Sequence, residues 1–178
     1  MKVEKTKLPG VVVLSPKVHG DERGFFMETF NQATFGNLGL PDDFVQDNHS
    51  RSSYGVLRGL HFQYPQWQGK LVRVLNGEIF DVAVDVRADS PSFGQWVGVS
   101  LSADNKQQLY VPSGYAHGFC VTSEIADVVY KCTSLYKPED DTGIRWDDPD
   151  VNISWPIENP TVSVKDQGAG RLRDLHIQ

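Results

Sequence analysis

The stretch LVRVLNGEIFDVAVDVR, residues 71–87, gives the clearest indication of the fold. Asn76-Gly77 lies between two strand-like runs, which is the pattern of a tight β-hairpin turn. After the turn, apolar side chains alternate with polar or small ones from Phe80 to Arg87, and a period of two is typical of a β-strand. The stretch therefore predicts two strands joined by a sharp turn, the second with one apolar face.

Short strand-like runs continue on both sides of this stretch, separated by turns rich in glycine and proline. They are Val11–Val18, Gly24–Phe30, Phe44–Ser50, Val56–Gln63, Gln95–Leu101, Gln108–Val111, Phe119–Ser123 and Val128–Tyr136. Only Asn31–Leu38 favours a short helix. This pattern predicts an all-β fold, a β-sandwich or jelly-roll barrel with a few short helices, and the absence of linkers and repeats predicts a single domain over residues 1–178.

Composition limits the classes of partner. The chain has 178 residues, a net charge of −6 and two cysteines, Cys120 and Cys132, outside any CxxC motif. The negative charge argues against sequence-independent nucleic-acid binding but allows a compact basic pocket. The cysteines suit free thiols in a reducing compartment. With no signal-peptide pattern and no apolar stretch of transmembrane length, we expect a cytoplasmic protein without a membrane partner.

The segment VLRGLHFQ places a histidine, His61, inside an apolar run. A histidine in a barrel cavity is a natural general base, and such a base usually pairs with a carboxylate. Asp81, Asp85 and Asp166 are all candidates, and spacing does not choose among them. Two further residues have a chemical and a structural interpretation: Lys70 could hold an anion or be solvated, and Tyr130 could be an acid or belong to the core.

The segment PSGYAHGF, residues 112–119, fits the second half of a cupin signature. Metal-binding cupins carry His-x-His in the first half, whereas this chain reads His61-Phe62-Gln63. Two histidines and an amide are a poor transition-metal site. The sequence therefore predicts a cupin-type barrel, a double-stranded β-helix, without a metal.

Six segments together resemble the dTDP-4-dehydrorhamnose 3,5-epimerase family. In chain order they are HGDERGFFMETF, QDNHSRSSYGVLRGLHFQ, QGKLVRVLNGEIFDVAVDVR, VPSGYAHGFCV, YKCTSLYKPEDDTGIRWDDP and SVKDQ. The resemblance implies a homodimer without cofactors that acts on a dTDP-sugar in dTDP-L-rhamnose biosynthesis. It implies inversion of carbons 3 and 5 of dTDP-4-dehydro-6-deoxy-D-glucose.

The resemblance also implies roles for individual residues. His61 is similar to the family's base, Asp166 to its partner, Tyr130 to the acid on the opposite face, and Lys70 to the group that stabilises the enolate. Tyr136 is similar to an aromatic that stacks on thymine, and Asp141 stands where the family often has Glu. The implied substrate contacts are Arg23, Glu28, Gln46, Asp47, Asn48, Arg58, Lys70, His117, Tyr136, Asp141 and Lys165.

Other functions remain open on the sequence. One is an epimerase that inverts a single carbon of a related dTDP-4-keto-deoxysugar. Another is a non-catalytic cupin that binds nucleotide sugars, against which the joint presence of base and acid argues. A third is a metal-dependent cupin oxygenase, against which the missing ligands count.

Overall fold

The structure, a computed structural model, describes residues 1–177; Gln178, the last residue of the expected domain, lies outside the described residues. The strands are β1 Lys2–Lys5, β2 Val12–Ser15, β3 Val18–Asp21, β4 Gly24–Met27, β5 Gln46–Ser53, β6 Leu57–Gln63, β7 Lys70–Asn76, β8 Glu78–Asp85, β9 Trp96–Ser102, β10 Gln108–Val111, β11 Tyr115–Val121, β12 Ile125–Cys132 and β13 Asp141–Gly143. The helices are α1 Gln32–Asn37 and α2 Val164–Gln167, with a 3-10 turn at Leu172–Asp174.

Two antiparallel sheets form the body of the molecule. One has six strands in the order β1-β2-β10-β7-β12-β5, and the other has five in the order β13-β6-β11-β8-β9. Strands β3 and β4 form a separate hairpin. The predicted all-β jelly-roll architecture is confirmed. None of the helices within residues 1–177 is long and apolar enough to cross a membrane.

The predicted hairpin at Asn76-Gly77 is wrong, although the turn is there. Strand β7 pairs with β10 and β12, and β8 pairs with β9 and β11, so the chain changes sheets at Gly77. Gly77 has φ +76°, and a Cβ there would collide with the carbonyl oxygen of Ile125. The sharp corner favours glycine, and beyond it β8 joins the five-stranded sheet, where most of its side chains on both faces are buried.

Several predicted strand bounds change. The run Val11–Val18 divides into β2 and β3 around Pro16, which has no backbone N–H to donate to a ladder. The run Val128–Tyr136 stops at Cys132. Strands β1 and β13 were not predicted. The predicted helix is present as α1, because Asn31 caps it by accepting from the backbone N–H of Thr34 at 3.0 Å.

The main hydrophobic core lies between the two sheets. Val72 and Val128 of the six-stranded sheet pack with Ile79, Ala83 and Phe119 of the five-stranded sheet. The other face of the five-stranded sheet is covered by the irregular C-terminal segment, residues 144–177, which contributes Ile144, Val151 and Leu172 to a second core. This segment brings α2 to the edge of the space between the sheets.

Candidate active site

A bulge in β6 brings Arg58 and His61 to the same side of the strand. Strict alternation would place them on opposite faces. On β11, however, Phe119 pairs with Arg58 and His117 with His61, so three steps on β6 match two on β11. Gly59 lies inside this irregularity with φ +129°, and a Cβ there would be 2.5 Å from Cα of Gly118. Glycine is therefore required at this position, and the bulge directs both side chains into one cavity.

The cavity opens between the two sheets and has a volume of about 430 Å³. Strands of both sheets and the C-terminal segment supply its walls. The lining residues are Ser50, Val56, Leu57, Arg58, His61, Lys70, His117, Phe119, Tyr130, Thr161, Val162, Ser163, Lys165 and Asp166. All four residues predicted to be catalytic are in this set.

Asp166 is the carboxylate that contacts His61. Its Oδ1 lies 2.6 Å from Nε2 of His61, and its Oδ2 accepts the backbone N–H of Gly59 at 3.3 Å. Burial raises the pKa of Asp166, but the bonds from His61 and Gly59 outweigh that effect, so its pKa lies below the ordinary value. Asp166 therefore stays charged and fixes the imidazole, leaving Nδ1 of His61 for the cavity.

The other two candidate carboxylates have different partners. Asp81 contacts His117, with 2.5 Å between Oδ1 and Nε2. Asp85 binds Arg87 at 2.6 Å and accepts from the hydroxyls of Ser90 and Ser92.

Lys70 and Tyr130 extend into the cavity from the six-stranded sheet, facing the sheet that carries His61. The ammonium of Lys70 is close to the backbone carbonyl of His61, with 3.5 Å from Nζ to O. Burial lowers the pKa of Lys70 and raises the pKa of Tyr130. The tyrosine therefore keeps its proton, as an acid must, and the lysine is a cation that water screens poorly.

Basic and aromatic groups extend the cavity outward. Nε of Arg58 donates to Oγ of Ser52 at 3.0 Å, which holds the guanidinium in place. Lys165 forms an ion pair with Asp141, and the hydroxyl of Tyr136 donates to the same carboxylate at 2.9 Å. The bond to Asp141 raises the pKa of Lys165. These three predicted contact residues form one cluster, joined to the cavity through Lys165.

The predicted contacts on β5 divide between its two faces. Gln46 binds Asn48, and Asn48 donates to Sγ of Cys132 at 3.4 Å. Asp47 instead forms an ion pair with Lys131 at 3.0 Å and borders a second cavity of about 320 Å³. Asn48 borders the second cavity as well, and none of the three predicted contacts on β5 lines the cavity of His61.

Arg23 and Glu28 also lie outside that cavity. Arg23 follows β3 and forms an ion pair with Asp21, and Glu28 accepts from the side chain of Asn31 at 3.2 Å. The hairpin β3–β4 that carries Arg23 exposes Phe25 and Phe26.

Sequence reasoning missed Ser50, Ser52 and the pairing of Asp81 with His117. Oγ of Ser50 is buried, lines the cavity and has no partner within residues 1–177. Ser50 and Ser52 continue the alternation of polar side chains that begins with Gln46 and Asn48, which places all four on one face of a strand. That spacing was the available signal. Across the part of the chain that the structure describes, no three histidine, cysteine or carboxylate side chains are grouped to hold a metal ion.

Comparison with known proteins gives a consistent result. The family model for dTDP-4-dehydrorhamnose 3,5-epimerase matches residues 5–174. The dTDP-4-dehydrorhamnose 3,5-epimerase of Shigella flexneri is 58% identical over 176 residues, covering 98% of this chain and 97% of the relative.

Two solved structures have the same fold. The dTDP-6-deoxy-D-glucose-3,5-epimerase of Legionella pneumophila, in complex with dTDP-4-keto-L-rhamnose, is 51% identical with a TM-score of 0.95, covering 98% of this chain and 94% of that one. A 3'-monoepimerase from Streptomyces bikiniensis, in complex with dTDP-quinovose, is 33% identical with a TM-score of 0.89, covering 94% of this chain and 86% of that one.

Proposed function

This chain belongs to the dTDP-4-dehydrorhamnose 3,5-epimerase family, and we propose that it inverts carbons 3 and 5 of dTDP-4-dehydro-6-deoxy-D-glucose to give dTDP-4-dehydro-L-rhamnose. The observation that carries the mechanism is the cavity itself. It places a histidine–carboxylate pair on one wall and a half-buried tyrosine and a buried lysine on the other.

The ketone at carbon 4 acidifies the protons on carbons 3 and 5. In the proposed first step, Nδ1 of His61 removes one of these protons, and the C–H electron pair forms an enolate whose negative charge rests on the carbon-4 oxygen. Asp166 stabilises the imidazolium that results. Lys70 stabilises the enolate oxygen, because a preorganised cation in a water-poor cavity interacts strongly with developing charge.

Inversion requires a proton to return on the opposite face of the carbon. Tyr130 is suited to this step because it comes from the opposite sheet and burial raises its pKa. Its hydroxyl proton passes to the carbon, the enolate returns to the ketone, and the phenolate is reprotonated before the second inversion. The proton on His61 is released to solvent.

The nucleotide is held by the groups around the cavity entrance. Arg58 and Lys165 supply cations for the diphosphate, and Tyr136 stacks on the thymine ring. Asp141 keeps Lys165 and Tyr136 together in the free protein. The proposal keeps Gln46 and Asn48 of β5 as nucleotide contacts, although neither lines the cavity in the free chain, and His117 contacts the sugar from β11.

The proposal includes a homodimer that completes the site. Arg23 and Glu28 are implied substrate contacts, but neither lines the cavity of its own chain. The hairpin β3–β4 exposes two phenylalanines, which is costly for an isolated monomer. A second copy that covers this hairpin would take Arg23 and Glu28 to the partner's cavity.

Solvent exchange tests the reaction directly. The purified protein is incubated with dTDP-4-dehydro-6-deoxy-D-glucose in deuterated water, and NMR follows carbons 3 and 5. We expect deuterium at both carbons together with formation of the L-sugar. Binding of the sugar nucleotide without any deuterium would contradict the proposal and leave a binding protein.

A single-carbon epimerase is the second candidate, because the Streptomyces bikiniensis 3'-monoepimerase shares the fold. Deuterium at one carbon only would favour it. The higher identity to relatives named 3,5-epimerases supports double inversion.

A further inference from the structure

A second histidine–carboxylate pair lies beside the first. His117 is the direct neighbour of His61 across β11 and β6, and its Nε2 contacts Asp81 of β8. His117 is 6% exposed and lines the cavity, and Asp81 is fully buried. The family resemblance implies substrate contact for His117 but gives Asp81 no role.

The two carboxylates differ in how they are satisfied. Asp166 accepts from His61 and from the backbone of Gly59. Asp81 accepts a hydrogen bond from His117 alone, and its Oδ2 is buried without a hydrogen-bond partner within residues 1–177. The nearby ammonium of Lys70 supplies a compensating charge. A buried carboxylate costs free energy unless hydrogen bonds or charges compensate it. The fold therefore keeps Asp81 buried beside the cavity with one hydrogen bond, from His117, although this burial costs free energy.

The bond at Nε2 determines what the other ring nitrogen can do. A carboxylate accepts hydrogen bonds, so Nε2 of His117 carries the proton. Nδ1 then has a free lone pair, and the structure gives it no hydrogen-bond partner in the described part of the chain. A neutral imidazole in this tautomer accepts a hydrogen bond from a hydroxyl.

We propose that Asp81 is a positioning residue, which keeps the proton of His117 on Nε2 so that Nδ1 accepts a hydrogen bond from a sugar hydroxyl in the cavity. The sugar is the substrate of the proposed function, and to that extent the inference rests on it. The tautomer itself is a property of the free protein. His61 and His117 then present matching nitrogens to the sugar, one to remove a proton and one to hold the ring.

NMR of the substrate-free protein tests the tautomer. The protein is labelled with ¹⁵N at its five histidines, and the spectrum of His117→Gln identifies the His117 signals. We expect a protonated Nε2 and an unprotonated Nδ1. In Asp81→Asn, the amide N–H can donate to Nε2, so the proton should move to Nδ1. A wild-type spectrum with the proton on Nδ1 would overturn the proposal, even if Asp81→Asn did not fold.

Kinetics test whether Asp81 acts through His117. We expect Asp81→Asn to lower kcat/KM by about 10- to 100-fold, as loss of an orienting partner usually does. The same change in a His117→Gln background should have little further effect, because the two residues act as a unit. Equal losses in both backgrounds would mean that Asp81 does not work through His117.

Asp85→Asn is the matched control. Asp85 is a fully buried carboxylate on the same strand, but its partners are Arg87 and two serines outside the cavity. Its replacement should reduce stability while the folded enzyme keeps the His117 spectrum and its kcat. If deuterium exchange failed but the spectrum showed the expected tautomer, the proposed function and the bond to its sugar would fall, and the role of Asp81 in fixing the tautomer of His117 would stand.

Discussion

Burial acts in opposite directions on the two functional groups of the six-stranded sheet. It lowers the pKa of Lys70 from 10.5 and raises that of Tyr130 from 10.0. Cys132, Asp141 and Asp81 favour the charged lysine, and Lys165 opposes it, yet desolvation remains the largest effect. The ammonium of Lys70 therefore loses its proton below the ordinary lysine range, and the hydroxyl of Tyr130 keeps its proton beyond the ordinary tyrosine range.

The lowered pKa of Lys70 predicts the alkaline limb of the pH–activity profile. Activity requires the charged lysine, so kcat/KM should fall as Lys70 deprotonates, at a pH below the ordinary lysine range. Lys70→Arg should move that limb to higher pH, because a guanidinium stays charged. A limb that is unchanged in Lys70→Arg would assign the titration to another group.

The base and the acid are separable by mutation. His61→Ala should reduce turnover by about 10²- to 10⁴-fold, because general-base catalysis is lost, while calorimetry still detects binding of dTDP. Tyr130→Phe should reduce inversion more than deuterium exchange at carbon 5, since His61 can return a proton to the same face. Equal losses of exchange and inversion in Tyr130→Phe would contradict its assignment as the acid.

At the residue scale, the sequence identifies the functional side chains well but does not show which of them form pairs. His61, Lys70 and Tyr130 were predicted, and all line one cavity. Spacing left the partner of His61 open among three aspartates, and only the family resemblance implied Asp166, because this residue is distant in sequence and arrives on a C-terminal segment without strand periodicity. Hydrogen-bond partners across such distances depend on tertiary packing.

At the scale of the element, we predict that adding one methyl group at Gly59 of β6 strongly lowers the stability of the fold. Gly59→Ala would require a left-handed φ of +129° and would place a Cβ 2.9 Å from the carbonyl oxygen of His117. We expect a loss of at least about 2 kcal/mol in the free energy of unfolding, measured by urea titration. Activity should fall as well, because the bulge aligns Arg58 with His61.

Gly39→Ala is the matched control for that prediction. Gly39 has φ +70°, and a Cβ there meets nothing within 4 Å. It should lose only the conformational contribution, about 1 kcal/mol. Similar losses in the two variants would show that the contact with β11 is unimportant.

Periodicity predicted most strands, because alternation is a local property of each one. It did not predict how they pair. Asn76-Gly77 has the sequence of a hairpin turn, but the chain changes sheets there, and only burial of both faces of β8 distinguishes the two outcomes. The bulge at Gly59 likewise emerges only from the register of β6 against β11.

At the scale of the whole molecule, we predict that the ionised side chain of Asp85 contributes to the free energy of unfolding and that this contribution is lost in acid. Burial raises its pKa, but the bonds from Arg87, Ser90 and Ser92 outweigh burial and lower it from 3.8 to about 2. Because the folded-state pKa is depressed, this contribution is complete above pH 3.8 and is lost as the pH falls towards about 2. Linkage gives a magnitude of about 2 kcal/mol.

The measurement compares wild type with Asp85→Asn across that range at one protein concentration. The difference in the free energy of unfolding should be constant above pH 4 and should shrink between about pH 4 and pH 2. A difference that does not change with pH would assign the effect to packing rather than to charge.

Mixed dimers test whether the partner supplies Arg23. Arg23→Ala and His61→Ala proteins, each with little activity, are unfolded together and refolded. If Arg23 crosses to the partner, each mixed dimer has one intact site, and activity should return to as much as half the wild-type value per mixed dimer. If Arg23 serves its own chain, both sites stay defective and no activity returns.

The reacting groups belong to two different sheets, and this has a consequence for how the enzyme could change. His61 projects from the five-stranded sheet and Tyr130 from the six-stranded sheet, and the two sheets are held apart by a packed core that includes Val72 and Ala83. A proton can be removed on one face of the sugar and returned on the other only while the distance between His61 and Tyr130 matches the thickness of a sugar ring. Stereochemical fidelity is then a property of hydrophobic packing. A directed-evolution library confined to this buried layer should alter the ratio of singly to doubly inverted product without changing any reacting group.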